Sequence, residues 1–435
     1  MHSKIAPARA AALIAGVIGT LAAPGGALAS GFLLPEASTA GIGTANAMVA
    51  NPIELGAIPY NAAAMGFHDN SSLALGALMI APSFSVNTAS GNHSGTGATW
   101  VAGPMFQAAI KLNQNWRLGL GVTTPFGLET RWGYGTFPAL SQSATIPLPP
   151  PLGLTTIPTG NHPATTKLEV LDFAPTGAYR VNDNLSLAAG MDIYWAKSAQ
   201  LDSNLGQMSG DGIGLGFNLG AMYRIQALTL GLTYHSASTV RLGGNFTPLN
   251  TTLVMMGQLA QGQPASLNLD LPWRLQVGAR YEFTKTFAAE FDWTYTGWSQ
   301  FRQLVVSGDR TGGIISTETN NWNDASAFRL GLTWQVRPTT QLRCGYAYDQ
   351  TGQGNGYFSA RVPDSDRQTF SIGIAQGLSH GFSIEAGYMY VMGQKRNFAG
   401  GVPYTATSGV NGTTALNGQY EMSAHIVGIE ALVTF

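Results

Sequence analysis

The chain has 435 residues, of which only 10% are charged, with 55 glycines, 10% aromatic residues and a net charge of −1. Soluble proteins carry about 25% charged residues, so an ordinary soluble surface is disfavoured. Near-neutrality also argues against nucleic acid or an anionic surface as a partner. The single cysteine, Cys344, cannot close an internal disulfide.

Residues 1–29 have the pattern of a secretory signal peptide. Lys4 and Arg9 precede an apolar run from Ala10 to Ala23, and Ala27-Leu28-Ala29 forms an A-x-A cleavage motif. The apolar run is short and broken by glycine, which disfavours a membrane anchor. We therefore expect cleavage after Ala29 and export of the remaining chain.

Residues 30–70 show neither a helical nor a strand period. They are rich in small residues, and their glycines at 31, 41, 43 and 56 permit changes of backbone conformation. Apolar residues such as Phe32 and Met48 argue against a free tail in water. We expect this segment to fold compactly inside a larger structure and to be able to move.

From residue 72 onwards the chain alternates apolar and polar residues in about fourteen segments. Each is long enough to cross a bilayer as a tilted strand. They run over 72–87, 99–112, 115–127, 165–181, 184–201, 212–225, 227–240, 267–283, 286–303, 325–337, 339–350, 366–378, 380–393 and 420–435.

The charges within these segments fall on one face. Phe287, Phe291 and Trp293 share a parity, whereas Glu290 and Asp292 have the other. A charge on the lipid face costs about 2–4 kcal/mol at the bilayer midplane, so the charged face should point into a lumen. A soluble β-sandwich alternates similarly, but its strands are shorter. The sequence predicts an all-β fold, a transmembrane antiparallel β-barrel of about 14 strands over residues 71–435.

Short connections alternate with long ones, which is typical of periplasmic turns and outer loops. The chain ends at Phe435, as outer-membrane barrels often do. We expect a monomer in the bacterial outer membrane, surrounded by outer-membrane lipid and recognised by the barrel assembly machinery through Phe435. Residues 30–70 would then form an N-terminal plug in the lumen.

Two predicted outer loops are unusually apolar, Ser143–Pro158 and Thr252–Ala260, the second with the character of a short helix. Exposed apolar patches tend to mark ligand or partner sites. The alternative, that the loops pack on each other to close the barrel mouth, stays open. The candidate residues for ligand capture are Leu148, Leu152, Leu154, Leu253, Val254, Met255, Met256 and Leu259.

Pro125 interrupts a strand in the sequence TTPFGLETRW, Thr123–Trp132. Proline cannot donate to a sheet ladder, and Gly127 follows two residues later. The pattern predicts a kink or a gap in the barrel wall. The alternative is that the strand ends here.

Signals for catalysis are weak. None of the six histidines after residue 29 has the spacing of a metal-ligand motif, and no G-x-S-x-G motif occurs. We expect no enzyme activity, cofactor or metal. The enzymatic alternative is an outer-membrane lipase with a Ser–His pair on the wall, because triads assemble in space.

Several motifs resemble the FadL family, the outer-membrane transporters of long-chain fatty acids and hydrocarbons. They are Ser30-Gly31-Phe32 with Gly41-Ile42-Gly43, TTPFGLETRW, FAPTGAYRVNDNLSLAAGMDIYWAK, GFNLGAMYR, DWTYTGWSQF and VPDSDR. The resemblance implies a fourteen-stranded barrel plugged by its N-terminal residues. A hydrophobic ligand would be captured by outer loops and held in an inner pocket beside Phe32, Leu33 and Leu34. It would then leave sideways through a lateral gate at Pro125, Phe126 and Gly127.

Three departures from the family pattern qualify this expectation. The family's Asn-Pro-Ala motif is Asn61-Ala62-Ala63 here, which predicts a looser turn. The loop after Lys197 is predicted to be only about ten residues, Asp202–Asp211, so 143–158 is the candidate replacement for its groove wall. STETNN and SAQLDS lack the basic residues that meet a fatty-acid carboxylate in the family. The last departure favours an uncharged apolar ligand.

The sequence leaves two further functional alternatives. One is a general porin filled with water, which would lack a plug and carry charges at its constriction. The other is a structural or adhesion barrel that transports nothing.

Overall fold

The computed structural model describes residues 31–149, 151, 153–310, 312–379, 381–405 and 408–435. Within these residues it contains twenty-two strands and two short α-helices. The predicted signal peptide lies outside the described residues.

The strands and helices follow each other along the chain with short 3-10 segments between some of them. The strands are β1 Ser72–Thr88, β2 Gly91–Ser94, β3 Val101–Lys111, β4 Trp116–Arg131, β5 Ser143–Pro147, β6 Leu154–Pro158, β7 Pro163–Arg180, β8 Leu185–Ser203, β9 Gly206–Ile225, β10 Leu228–His235, β11 Ser238–Pro248, β12 Gln263–Leu271, β13 Arg274–Glu282, β14 Phe287–Thr296, β15 Gln303–Gly308, β16 Ile314–Thr319, β17 Ala325–Arg337, β18 Thr340–Asp349, β19 Arg367–Ser379, β20 Phe382–Gly393, β21 Arg396–Phe398 and β22 Gly418–Thr434. The helices are α1 Thr39–Gly43 and α2 Thr251–Met255, and the 3-10 segments are Leu55–Ala57, Ala62–Phe67, Pro138–Leu140, Trp298–Gln300, Asn355–Tyr357 and Thr414–Leu416.

The strands form a closed antiparallel barrel. β1 pairs with β3 on one side and with β22 on the other, from Ser72↔Thr434 to Asn87↔Gln419, which closes the sheet. Four spans are interrupted, namely β10 with β11, β12 with β13, β14 with β15 and β16 with β17. Counted in this way, the described residues make fourteen spans, which confirms the predicted fold.

No helix among the described residues is long and apolar enough to cross a membrane.

The two faces of the wall differ as the parity of the sequence predicts. Outward-facing apolar residues are exposed, with Leu215 at 61% and Ile372 at 62%. Charged residues of the opposite parity are buried inside the barrel, with Asp292 at 0% and Glu290 at 1%. The alternative of a soluble sandwich is therefore wrong, because its exposed face would be polar.

The prediction of a loop over Asp202–Asp211 is wrong. β8 extends to Ser203 and β9 begins at Gly206, so the connection is a tight turn. Residues from Gly206 onwards alternate in burial and pair with both β8 and β11, so they belong to the wall. Residues 304–324, which lie between the predicted segments 286–303 and 325–337, are likewise mostly the hairpin of β15 and β16.

The chain before β1 lies inside the barrel and contacts the inward face of the wall. The backbone amides of Met48 and Val49 both donate to Asp292, at 2.8 and 3.0 Å. Arg343 of β18 pairs with Glu54 and with Glu385, each at 2.6 Å. We refer to residues 39–68 as the anchored segment and to residues 31–36 as the N-terminal strand segment.

The departure at Asn61-Ala62-Ala63 has a defined structure. The Asn61 side chain accepts a hydrogen bond from the Ala63 amide at 3.1 Å, which caps the 3-10 segment Ala62–Phe67. Its amide group donates to the carbonyls of Val49 and Ala221, at 2.9 and 3.1 Å. The cap is present although proline is absent, so Asn61 fixes this turn through its own hydrogen bonds.

Candidate functional site

The barrel wall is interrupted beside Pro125. β4 continues through the proline, and its pairing with β7 shifts register there. Its ladder with β3 ends at Phe106↔Val122, and the next contact on that side is a single bridge between Thr96 and Thr130. β4 therefore continues past the proline with a shifted register rather than ending there. The middle of its other edge is left unpaired by wall strands.

The N-terminal strand segment supplies the missing partner from inside the lumen. Leu33 forms an antiparallel bridge with Phe126. The Leu34 amide donates to the carbonyl of Pro125 at 2.8 Å. The Gly127 amide donates to the carbonyl of Phe32 at 3.0 Å. Buried backbone groups need such partners, so this segment satisfies the edge that the interruption exposes.

Phe32 lies at the centre of an aromatic cluster. Its ring centroid is 4.8 Å from that of Trp298 and 5.3 Å from that of Phe301. Phe126 and Trp322 lie at 6.0 and 6.2 Å. Phe32 is only 3% exposed. Contacts of this kind are worth about 0.5–1.5 kcal/mol each beyond area burial, so the ring stabilises the position of the strand segment.

Gly31 is held by a charged pair from the outer part of the wall. Its amide donates to Asp364 at 3.0 Å, and the Arg367 guanidinium donates to its carbonyl. Asp364 and Arg367 also pair with each other at 2.7 Å. Gly31 has φ +52°, and a Cβ there would lie 2.4 Å from the ring of Trp322. Only glycine fits this position without displacement.

Two adjacent cavities lie next to the strand segment. The first, the apolar cavity, is enclosed by the outer halves of β7, β8, β9, β11 and β12 and is lined by Phe32 and Phe301. The second, the inner cavity, lies at the wall interruption and has a volume of about 1290 Å³ including its open mouth. Leu128, Leu168 and Val362 border both cavities, so they are adjacent compartments.

The cations lining the inner cavity are all paired within the described part of the chain. The pairs are Arg329 with Asp349 at 2.9 Å, Arg367 with Asp364 at 2.7 Å and Lys167 with Glu129 at 3.9 Å. Glu36 also lines this cavity, accepts a hydrogen bond from Asn46 at 3.0 Å, and has a pKa raised by burial. Among the described residues, this compartment therefore has no unpaired cation that could bind the carboxylate of a ligand.

A third compartment, the polar cavity, lies on the other side of Leu34 and Glu36. Asp172, His235 and Arg274 line it together with Pro125. His235 is hydrogen-bonded through Nδ1 to Asp192 at 2.9 Å. Within the described residues no group of three or more His, Cys, Asp or Glu side chains could hold a metal ion.

The loop residues with predicted capture roles lie in two places. Leu148 and Leu154 lie on the outer hairpin of β5 and β6, where Leu154 is 74% exposed, and Leu152 lies outside the described residues. The others lie on or just after α2. Leu253 is buried, Val254 is half-buried, and Met255 and Met256 are exposed. Leu259 packs against the large hydrophobic cluster to which Phe32 belongs. None of the loop residues described here borders the two cavities above.

Sequence reasoning did not assign Trp298, Phe301, Trp322, Asp364 or Arg367 to the site. The first two lie in DWTYTGWSQF and the last two in VPDSDR, motifs that the family resemblance had already marked. Nothing in the pattern of either motif shows that both meet residues 31–32 in space.

The chain was compared with known proteins. The family described as outer membrane protein transport protein (OMPP1/FadL/TodX) matches residues 20–148 and 154–435. A long-chain fatty acid transport protein of Escherichia coli O6:H1 is 26% identical over 426 residues, covering 86% of this chain and 90% of that protein. Outer membrane protein P1 of Haemophilus influenzae is 25% identical over 440 residues, covering 87% and 89%.

Solved structures show the same fold. A Pseudomonas aeruginosa FadL homologue has a TM-score of 0.78 at 21% identity, with 93% of this chain and 100% of that chain covered. The Ralstonia pickettii toluene transporter TbuX has a TM-score of 0.66 at 15% identity, with 92% and 98% covered.

Proposed function

Because the chain belongs to the outer membrane protein transport protein family (OMPP1/FadL/TodX) and lies in the bacterial outer membrane, we propose that it carries small hydrophobic compounds across that membrane by passive uptake. Relatives are named for long-chain fatty acids and for toluene. The substrates of this chain are hydrocarbons or other neutral apolar molecules, because the cations of the inner cavity are paired.

Capture takes place at the outer end of the barrel. The apolar cavity lies between the outer strand halves, and Leu259, just after α2, packs against the hydrophobic cluster to which Phe32 belongs. Burying a methylene contributes about 0.8 kcal/mol, so an apolar chain gains enough here to leave water. The exposed side chains of Met255 and Met256 are positioned to make the first contact.

The plug then moves. Phe32, Leu33 and Leu34 border the two cavities and complete the interrupted edge of β4. A ten-carbon chain would gain roughly 8 kcal/mol gross in a sealed pocket, so release needs a second conformation that binds it more weakly. Withdrawal of the N-terminal strand segment supplies that conformation.

Exit is lateral, into the bilayer. The ladder between β3 and β4 is missing beside Pro125, Phe126 and Gly127, and the inner cavity is lined there by both strands. An apolar molecule gains nothing by entering the aqueous periplasm. The single observation that carries the proposal is that residues 32–34 pair with the edge left open by this interruption.

The experiment compares uptake of a radiolabelled hydrocarbon in cells with the gene, without it, and with residues 30–40 deleted. We expect uptake to require the gene, and the deletion to change uptake or ion leak. Unchanged uptake without the gene would favour a structural or adhesion barrel. Rapid, size-dependent sugar flux in liposome swelling would favour a porin and contradict the proposal.

A further inference from the structure

We propose that the polar cavity is a subsite for the hydroxyl group of an apolar substrate, which bridges Asp172 and Arg274. This inference rests on the proposed transport of apolar compounds and names a subclass of them. Neither residue has a role in the aromatic cluster, the wall interruption or the apolar cavity described above.

Asp172 is a buried acid with an unused acceptor. It lies on β7 opposite Thr123, directly beside the wall interruption, and is 4% exposed. Its Oδ1 has no hydrogen-bond partner among the described residues. The backbone amide of Ile193 hydrogen-bonds to the carboxylate, and Arg274 acts on it electrostatically. A buried acceptor without a partner is costly, so this atom points to a donor supplied from the cavity.

Arg274 is a lumenal cation with unused donors. It begins β13, lies opposite His235, is half-buried, and lines the same cavity as Asp172. No hydrogen bond or close ion pair joins its guanidinium to any residue that the structure describes, and its charge acts electrostatically on Asp172 and Asp192. Arg329 and Arg343, by contrast, are both paired with wall carboxylates. The N–H donors of Arg274 are therefore available to a ligand that lies between it and Asp172.

The charges around the cavity select the ligand. The lining carries two acids and two arginines, namely Glu36, Asp172, Arg274 and Arg329. A further acid, Asp192, is hydrogen-bonded to His235 of the lining. A carboxylate or an ammonium would add a net charge to a buried site, which is expensive. A hydroxyl is neutral, donates one hydrogen bond and accepts others. It can donate to Asp172 and accept from Arg274.

The position of the cavity fits an amphipathic molecule. Leu34, Pro35 and Glu36 form the boundary between the polar and inner cavities and line both. A ligand whose hydroxyl lies between Asp172 and Arg274 can therefore extend its apolar part past Leu34 to the wall interruption. A pure hydrocarbon lacks the group that would satisfy these two side chains.

The test uses five probes of eight or nine carbons, namely octane, octyl methyl ether, 1-octanol, octanoate and octylamine. Binding is measured by displacement of a fluorescent apolar probe from the purified protein in lipid nanodiscs. We expect 1-octanol to bind about tenfold more tightly than the ether, because only the alcohol can donate to a carboxylate. This comparison uses the unmodified protein.

Variants then assign the two hydrogen bonds. Asp172→Leu should reduce the alcohol-to-ether affinity ratio to about one. Arg274→Met should reduce the ether-to-octane ratio, which depends on the accepted hydrogen bond, and Arg274→Lys should restore part of it. Arg241→Met is the matched control, because Arg241 is exposed and lies outside the cavity.

The order of the probe affinities distinguishes a hydroxyl subsite from an anion site, a cation site and a hydrated cavity. Tightest binding of octanoate would make this an anion site, and tightest binding of octylamine a cation site, and either would overturn the proposal. Equal affinity of alcohol and ether would mean that water satisfies the two groups, which also overturns it. If octane itself does not bind, the proposed transport function fails; if octane binds without an alcohol preference, only the subsite fails.

Discussion

Two parts of the chain inside the barrel are held to the wall by different forces. The anchored segment is fixed by buried charges, with Asp292 and Glu290 accepting backbone amides and Arg343 pairing with Glu54. The N-terminal strand segment is held by two backbone hydrogen bonds, aromatic contacts and one charged pair near Gly31. The difference indicates which part can move while the rest stays in place.

The contrast has a physical basis. Breaking a buried ion pair leaves an uncompensated charge and costs about 3–5 kcal/mol. A backbone hydrogen bond contributes about 0.5–1.5 kcal/mol net, and aromatic contacts can be replaced by an apolar ligand. Withdrawal of residues 31–36 is therefore the less costly motion. The relay from Glu36 through Asn46 to Tyr60 links the two parts, at 3.0 and 2.7 Å.

The largest effect is expected from Arg343→Met. The variant leaves Glu54 and Glu385 buried without their cation, so the free energy of unfolding should fall by about 3–5 kcal/mol. Denaturant unfolding in lipid checks it. The matched control is Lys395→Met, which breaks a solvent-exposed pair with Glu421 and should change little. Equal effects of the two variants would remove the distinction between anchored and weakly held parts.

Phe32→Ala should act locally instead. The lost ring removes contacts worth about 3–5 kcal/mol in a packed core, but residues 31–36 can release without unfolding the barrel. We expect increased ion leak and altered hydrocarbon uptake with nearly unchanged barrel unfolding. The control is Phe370→Ala on the lipid-facing surface. A barrel destabilised as much as by Arg343→Met would show that the strand segment is part of the cooperative core.

Asp364→Asn should have a smaller effect on the same segment. It weakens the acceptor of the Gly31 amide and removes the charged partner of Arg367. The free energy that holds residues 31–36 to the wall should fall by about 1–3 kcal/mol. Hydrogen exchange of residues 31–36 should become faster, whereas that of residues 39–61 should not. Asp183→Asn, at an exposed turn, serves as the control. Unchanged exchange at residues 31–36 would mean that the clamp on Gly31 does not hold them.

The smallest effects on local stability are expected from changes of pH. Their signs should be opposite in the N-terminal strand segment and in the anchored segment. Burial raises the pKa of Glu36 above its usual 4.5, so its contribution to stability is present at low pH and is lost as pH rises through that raised value. Burial lowers the pKa of His68 to about 4 from 6.5. Its contribution is present above pH 6.5 and is lost as pH falls towards 4.

Hydrogen exchange against pH measures both responses. The region around Glu36 should loosen as pH rises, and the region around His68 should loosen as pH falls below 6.5. Glu36→Gln and His68→Gln should each abolish only the response of their own region. A single response common to both regions would contradict the separation of the two parts.

The sequence predicts the barrel because its determinants are local. In any regular strand, alternation with period two places Glu290 and Asp292 on one face and Phe291 on the other. The cost of a charge in lipid decides which of the two faces points into the lumen. The register shift at Pro125 also follows from one residue that cannot donate to the ladder. These features need no knowledge of distant contacts.

The site depends on contacts between distant parts of the chain, which the sequence does not order in space. The bridge between Leu33 and Phe126 and the charged pair at Gly31 join the first residues to strands far along the chain. The interpretation of Asp202–Asp211 as a loop is wrong because polar residues and glycines there pair as wall. Arg274 is recognisable from its parity as lumenal, but its lack of a hydrogen-bond partner among the described residues is not.

The most direct test of the central claim is a reversible lock between the strand segment and the wall. Leu33→Cys with Phe126→Cys joins bridged residues, in a Cys344→Ser background that removes the exposed native thiol. Hydrocarbon uptake is measured before and after reduction, with each single cysteine variant as control. The account predicts that the oxidised protein does not transport and that reduction restores uptake. Equal uptake in the oxidised and reduced states would contradict it.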